Sequence, residues 1–270
     1  MITKNDINEV VAEAFDVLKR GGLILYPTDT VWGIGCDATN EAAVQRVFAL
    51  KRRAEAKSLV LLACDLDMVA RYIRKIPSIA VDLVSVNDAP MTIVYPGAVV
   101  QRVAGEGTAP EGRATLTSPA AFGLAPSVVA ADGSVGIRIP RAGSTGVDSK
   151  GDDWDERPVS AGAVFCNRLI YRLRRPLVST SANISGEPAP ASFPEISPEI
   201  RAGVDYIVPA SVSGLALPGL SRSGSPSPAS VSGSGQAPSA ATVRFDDSAS
   251  GSPSQILKLG LDGEVEIIRP

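Results

Sequence analysis

Short apolar runs rich in β-branched residues recur along the chain, and stretches with helical spacing of apolar positions lie between many of them. Runs at 23–26, 58–63, 91–95, 135–139, 177–180, 206–208, 242–245 and 255–259 have the length and residue types of strands in a largely buried sheet. A helix is predicted over 5–20, where Ile7, Val10, Val11, Ala14, Val17 and Leu18 share one face and Gly21-Gly22 stops the pattern. A second is predicted over 41–52, with Asn40 as its N-cap and Val44, Val47, Phe48 and Leu50 recurring at helical spacing. Further helical patterns cover 66–74, 78–86 and 164–173. Strands alternating with helices imply an α/β layered fold.

Three segments interrupt this order. Residues 101–133, 142–161 and 211–240 are rich in Gly, Ser, Pro and Ala, and apolar strand-like runs resume after each. They read as insertions in one domain spanning 1–270, the last being low in complexity and expected to act as a lid.

Composition narrows the chemistry. With 270 residues and 44% hydrophobic content the chain can bury a sizeable core. A formal charge of −3 excludes coating of nucleic acid by bulk charge, although a local basic pocket remains compatible with it. Histidine is absent, so no Ser-His-Asp triad, Cys-His pair or imidazole metal ligand can exist. Cys36, Cys64 and Cys166 are far apart and form no C-x-x-C pair, which predicts reduced thiols and a cytoplasmic protein. The start of the chain is too polar for a signal peptide, and no apolar run reaches the length of a membrane span.

The richest stretch is 23–62, where an apolar run breaks at Pro27 into a Thr/Asp/Gly loop, passes through a helix and leaves it on Lys51, Arg52 and Arg53. Cations at a helix C-terminus are either solvated caps favoured by the helix dipole or anion receptors. A second stretch, 176–190, ends an apolar strand in Ser179, Thr180, Ser181, Ala182 and Asn183. In an open α/β sheet such a strand end is where ligands bind, although an ordinary Ser/Asn turn has the same composition. In 135–141, Arg138 alternates with Ile137 and Ile139, so its guanidinium lies on the sheet face opposite theirs. It needs either an internal carboxylate or a bound anion. Neither G-x-x-x-x-G-K-[ST] nor G-x-G-x-x-G is present.

Six segments together resemble the YrdC-like family of L-threonylcarbamoyladenylate synthases. They are YPTDTVWGIGCDA (26–38), the Lys-x-Arg of LKRRAEAKSL (50–59), APMTIVYPG (89–97), VGIRIP (135–140), STSANISGEP (179–188) and the terminal IIRP (267–270), in family order. The resemblance implies a twisted open α/β sheet with flanking helices and a positively charged concave face. It implies condensation of L-threonine, bicarbonate and ATP to threonylcarbamoyl-AMP with release of pyrophosphate, the first step of threonylcarbamoyladenosine formation in tRNA. A downstream threonylcarbamoyl-transferase complex, and a weak contact with tRNA, would be the macromolecular partners. Carried over by position, Lys51 and Arg53 are the expected catalytic pair. They would contact ATP together with Lys57, Ser134, Ser181, Asn183 and Arg269. Thr30, Arg138, Ser179 and Ser239 would contact threonine, with Thr242 an alternative to Ser239. Mg²⁺ would accompany ATP, with no protein side chain as ligand. This chain has Leu62 where many relatives carry a histidine, and Ser58 where a proline is usual. It has the layout of the short form without an extra C-terminal domain.

Two other functions fit parts of the sequence. The YrdC-like module of hydrogenase-maturation carbamoyltransferases, which uses carbamoyl phosphate, sits in longer chains with cysteine clusters that are missing here. A non-catalytic RNA-binding module is disfavoured by the 5% aromatic content and the negative net charge.

Overall fold

A computed structural model describes residues 6–54, 59–87, 89–101, 123–140, 160–215 and 242–270. Lys57, Ser239, most of the proposed lid and most of the other two insertions lie outside these residues. Six α-helices are present among them: α1 (Ile7–Lys19), α2 (Glu41–Lys51), α3 (Leu66–Tyr72), α4 (Ser78–Val86), α5 (Ala161–Leu173) and α6 (Pro198–Ala202). The strands are β1 (Ile24–Tyr26), β2 (Gly33–Gly35), β3 (Val60–Leu62), β4 (Met91–Tyr95), β5 (Val135–Arg138), β6 (Leu177–Ser181), β7 (Tyr206–Ile207), β8 (Ser211–Val212), β9 (Val243–Arg244), β10 (Gln255–Leu259) and β11 (Val265–Arg269).

Local sequence accounts for the helix starts. Asn40 caps α2 by accepting the Ala43 N–H at 3.1 Å, and Asp65 caps α3 by accepting that of Met68 at 2.6 Å. Ser160 does the same for α5, which therefore begins at Ala161, three residues before its apolar period becomes visible.

Nine strands form one twisted mixed sheet in the order β11-β10-β4-β5-β3-β6-β2-β1-β7, while β8 and β9 pair separately. Every predicted strand run is found, although 242–245 supplies β9 of the small sheet and not a strand of the large one. Strands β2, β8 and β11 and helix α6 are additions that the apolar pattern does not announce. β2 is Gly-Ile-Gly because its neighbours press on it: a Cβ at Gly35 would lie 2.4 Å from the Val178 carbonyl oxygen and 2.7 Å from the Tyr26 ring. Tyr26 is fully buried over these glycines and donates its hydroxyl to the Val178 carbonyl at 3.1 Å. Residues 123–133, placed by sequence within an insertion, pack Leu124, Ala125 and Val128 into the core.

Strand register decides what each face carries, since paired residues share a face. Arg138 pairs with Thr92, Thr92 with Ile256 and Ile256 with Arg269, so these four form one row across β5, β4, β10 and β11. Between β10 and β11 the register slips by one residue: Leu257 pairs with Ile267 but Ile256 with Arg269, leaving Ile268 as a bulge. Without that extra residue, simple alternation would send Arg269 to the opposite face.

Candidate active site

A cavity of about 270 Å³ opens above this row. Its wall includes Thr28, Thr30, Arg53, Arg138, Ser179, Ser181 and Arg269, together with Ser254 and the apolar Val31, Leu59, Val60, Pro253 and Ile256. Six of the residues expected from sequence therefore meet in one place: Thr30, Arg53, Arg138, Ser179, Ser181 and Arg269.

The Thr/Asp loop after β1 is locked by its own hydroxyls. Thr28 Oγ1 accepts the N–H groups of Thr30 (3.0 Å) and Val31 (3.2 Å) and donates to the Val31 carbonyl at 2.8 Å. Its single proton is thereby used, so the 2.8 Å contact with Thr30 Oγ1 has Thr30 as the donor. Two outside contacts clamp the loop: the N–H groups of Ser250 and Gly251 donate to the carbonyls of Asp29 and Thr30, both at 2.9 Å. The start of α5 presses from behind, because a Cβ on Gly162 would lie 2.2 Å from the Thr28 carbonyl oxygen.

Arg138 combines the two alternatives left open by its sequence. Its Nη1 donates to Asp29 Oδ1 in an ion pair whose side chains are 4% and 10% exposed, and it also lines the cavity. A buried guanidinium held from one side by a carboxylate keeps its other donors in place for a planar anion.

The basic triplet at the end of α2 splits in three directions. Lys51 turns inward and is 1% exposed, its ammonium donating to the carbonyls of Ser181 and Asn183 and to Asn183 Oδ1. Burial, aided by the charge of Arg53, pushes it down to about 8. Arg52 takes a left-handed conformation (φ 50°) and pairs with Glu199 at 2.6 Å. Arg53 reaches the cavity, and burial lowers its pKa as it does that of Arg269. Lys51 is thus absent from the cavity wall and fastens the end of β6, to which its own carbonyl also binds through the Ser185 N–H at 2.9 Å.

Asn183 belongs to the same fastening and is likewise absent from the wall. It accepts from Ser181 Oγ and donates to the carbonyls of Ile184 and Glu187. Ser134 precedes β5 and lies outside the wall. Its hydroxyl donates to Asp132 at 2.6 Å, and the same carboxylate holds Lys258 at 2.9 Å. Those two partners keep the Asp132 carboxyl far below the usual range. Leu62 is fully buried beside Arg138 in the register of β3 and β5 and does not line the cavity.

Sequence reasoning missed Asp29, Thr28 and Ser254. Asp29 could have been suspected as the one carboxylate in the loop facing a sheet arginine. Ser254 carries no local signal, because it reaches the site only through the pairing of β10 with β4.

Among the described residues no carboxylate lines the cavity, and no group of three or more Cys, Asp or Glu could hold a metal ion. Asp29 is committed to Arg138, so these residues do not form a metal cage. Among the described residues no helix is long and apolar enough to cross a membrane.

Comparison with known proteins identifies the family. Residues 16–145 and 162–219 match the Sua5/YciO/YrdC family model, described as "Telomere recombination". A Threonylcarbamoyl-AMP synthase of Stenotrophomonas maltophilia is 31% identical over 208 residues, covering 76% of this chain and 88% of the relative. One of Halorhodospira halophila is 29% identical over 215 residues, covering 79% and 90%. In fold, the chain is similar to a doubly substituted variant of P. abyssi Sua5, with a TM-score of 0.61, 19% identity and 98% of this chain covered. It spans 57% of that longer chain. P. abyssi Sua5 complexed with L-threonine gives a TM-score of 0.54 at 22% identity, covering 75% of this chain and 46% of that one. The family match runs through the Thr/Asp loop, the end of α2 and the end of β6, which build part of the cavity wall, and the chain belongs to the Sua5/YciO/YrdC family.

Proposed function

We propose that this protein condenses L-threonine, bicarbonate and ATP to threonylcarbamoyl-AMP and pyrophosphate. The observation that carries the reading is the convergence of Arg53, Arg138 and Arg269 with the hydroxyls of Thr30, Ser179 and Ser181 on one cavity. Relatives named for this activity, covered over about nine-tenths of their length, support it.

The chemistry fits a site without histidine or an activated nucleophile. Threonine's amine joins bicarbonate to give a carbamate and water, and a carbamate oxygen attacks the α-phosphorus while pyrophosphate leaves. The protein needs to hold the reactants in line and stabilise charge on the phosphates. Arg138, paired with Asp29 of the loop that carries Thr30, suits an amino-acid carboxylate and hydroxyl, and Ser179 lines the same cavity. Arg53, just past the end of α2, and Arg269, on β11, supply cations suited to phosphates, and Ser181 lines the same cavity. Arg138 and Arg269 stand three strands apart, roughly 14 Å between Cα atoms at the usual spacing. That separation suits a pair of reactants with anionic groups at both ends.

Lys51 and Asn183 support the phosphate end indirectly in this reading, and Ser134 would meet only a ligand extending along β5. Mg²⁺ enters as part of the substrate MgATP, neutralising phosphate charge, and not as a resident metal. The cavity side is taken as the positively charged concave face, the single domain as the catalytic unit and the cytoplasm as its location. The product would pass to a threonylcarbamoyl-transferase complex acting on tRNA.

Pyrophosphate release from MgATP, measured with and without L-threonine and bicarbonate, tests the proposal. Release should require both co-substrates and fall at least about a hundredfold in Arg53→Ala, the scale of losing one preorganised charge contact. Release indifferent to threonine would refute the assignment.

A further inference from the structure

Arg269 sits on an edge strand that is exposed along its whole length, a poor platform for a side chain that must be held still. Its guanidinium is nevertheless fixed, since Nε donates to the Ser254 carbonyl at 2.8 Å and Nη2 donates to the same oxygen. Ser254 is 8% exposed, and its hydroxyl bonds that of Thr92 at 2.8 Å. Thr92 is fully buried in the centre of the sheet, paired with Arg138 on one side and Ile256 on the other.

We infer that Thr92 and Ser254 are positioning residues that hold Arg269 in the cavity, linking the exposed edge strand to the rigid sheet centre. A hydroxyl at position 92 is otherwise hard to account for. Valine has the same shape and would suit a fully buried strand position better. The buried hydroxyl is spent on Ser254, and the carbonyl of Ser254 is what the guanidinium grips. The bulge at Ile268 brings Arg269 to the correct face, and the Thr92–Ser254 pair then sets where its guanidinium stops.

This inference rests on the reading of Arg269 as an ATP contact, and the test separates the two. ATP binding by calorimetry and ATP-dependent pyrophosphate release would be measured for wild type, Thr92→Val, Thr92→Ser, Arg269→Gln and the double variant Thr92→Val/Arg269→Gln. Thr92→Val should raise the ATP KM and Kd about tenfold with kcat within about twofold, the scale of one mispositioned charged contact. Thr92→Ser should restore both to within about twofold of wild type. The double variant should bind ATP no more weakly than Arg269→Gln alone, because both changes act along one path. Losses that multiply in the double variant, or an unchanged Kd in Thr92→Val, would overturn the inference. Should Thr92→Val not fold, Ser254→Ala breaks the same hydroxyl pair from its other end and must show the same non-additivity with Arg269→Gln. Wild type that binds ATP but releases no pyrophosphate would overturn the synthase reading alone. Wild type that does not bind ATP would overturn both.

Discussion

Lys51→Met separates a lysine that fastens the site from one that acts on the substrate. Methionine fills a similar volume but takes the ammonium away from the carbonyls of Ser181 and Asn183 and from Asn183 Oδ1, although the Asn183 N–H still serves the Ser181 carbonyl and Ser181 Oγ still serves Asn183 Oδ1. Hydrogen bonds to a charged group contribute about 1.5–3 kcal/mol each, so roughly 4–9 kcal/mol is lost. Part is returned, because the buried ammonium no longer needs to be desolvated. Its fall from 10.5 to about 8 corresponds to about 3–4 kcal/mol at ~1.4 kcal/mol per unit. The expected net destabilisation is about 3 kcal/mol, lowering Tm by roughly 6–12 °C at 2–4 °C per kcal/mol for a domain of this size. Thermal unfolding at pH 7 measures it, and steady-state kinetics should show a raised ATP KM as the end of β6 loosens. The pH dependence has a defined sign. The folded state releases the Lys51 proton near 8, and the unfolded chain near its ordinary value of about 10.4. Between those values the unfolded state binds more protons, so wild-type stability should rise relative to Lys51→Met as pH increases through that window. A Lys51→Met protein with wild-type Tm and abolished turnover would refute the reasoning and return Lys51 to direct contact with the phosphates.

Other substitutions probe the remaining walls. Gly162→Ala should cost about 1–3 kcal/mol by forcing a Cβ against the Thr28 carbonyl, seen as a lower Tm together with a raised threonine KM. Asp29→Ala should cost about 3–5 kcal/mol by stranding the buried guanidinium of Arg138, measured by chemical denaturation. Asn40→Ala, which removes only the α2 cap, should cost about 1 kcal/mol with unchanged KM values.

Features set by local pattern were legible in the sequence, and those set by distant pairing were not. The Asn40 cap, the stop at Gly21-Gly22 and all eight apolar strand runs follow from neighbours within a few residues. Gly33–Gly35 carries no strand signal, because its conformation is imposed by the Tyr26 ring and the backbone of β6. In the triplet Lys51-Arg52-Arg53, spacing locates the charge but cannot say which cation turns inward. That choice depends on the left-handed turn at Arg52 and on acceptors contributed by β6. Arg269 illustrates the same limit. Strict alternation along β11 assigns it to the wrong face, and only the register slip against β10 corrects this. Arg138, Ser179 and Ser181 stood out because each sits at a strand end or alternates with apolar neighbours, and Thr30 through the family resemblance, whereas Ser254 had no such context.

The clamp of Ser250 and Gly251 on the Thr/Asp loop gives the cavity a fragility distinct from that of the core. One side of the clamp comes from residues near the beginning of the chain and the other from the loop that leads into its last hairpin, so these contacts join distant parts of the sequence and depend on late, non-local closure. Strand β11 of that hairpin is exposed throughout, the kind of element that opens before the whole domain does. In a denaturant titration, turnover should therefore disappear before the helical signal, with an inactive species that keeps most of its native structure populated between the two transitions.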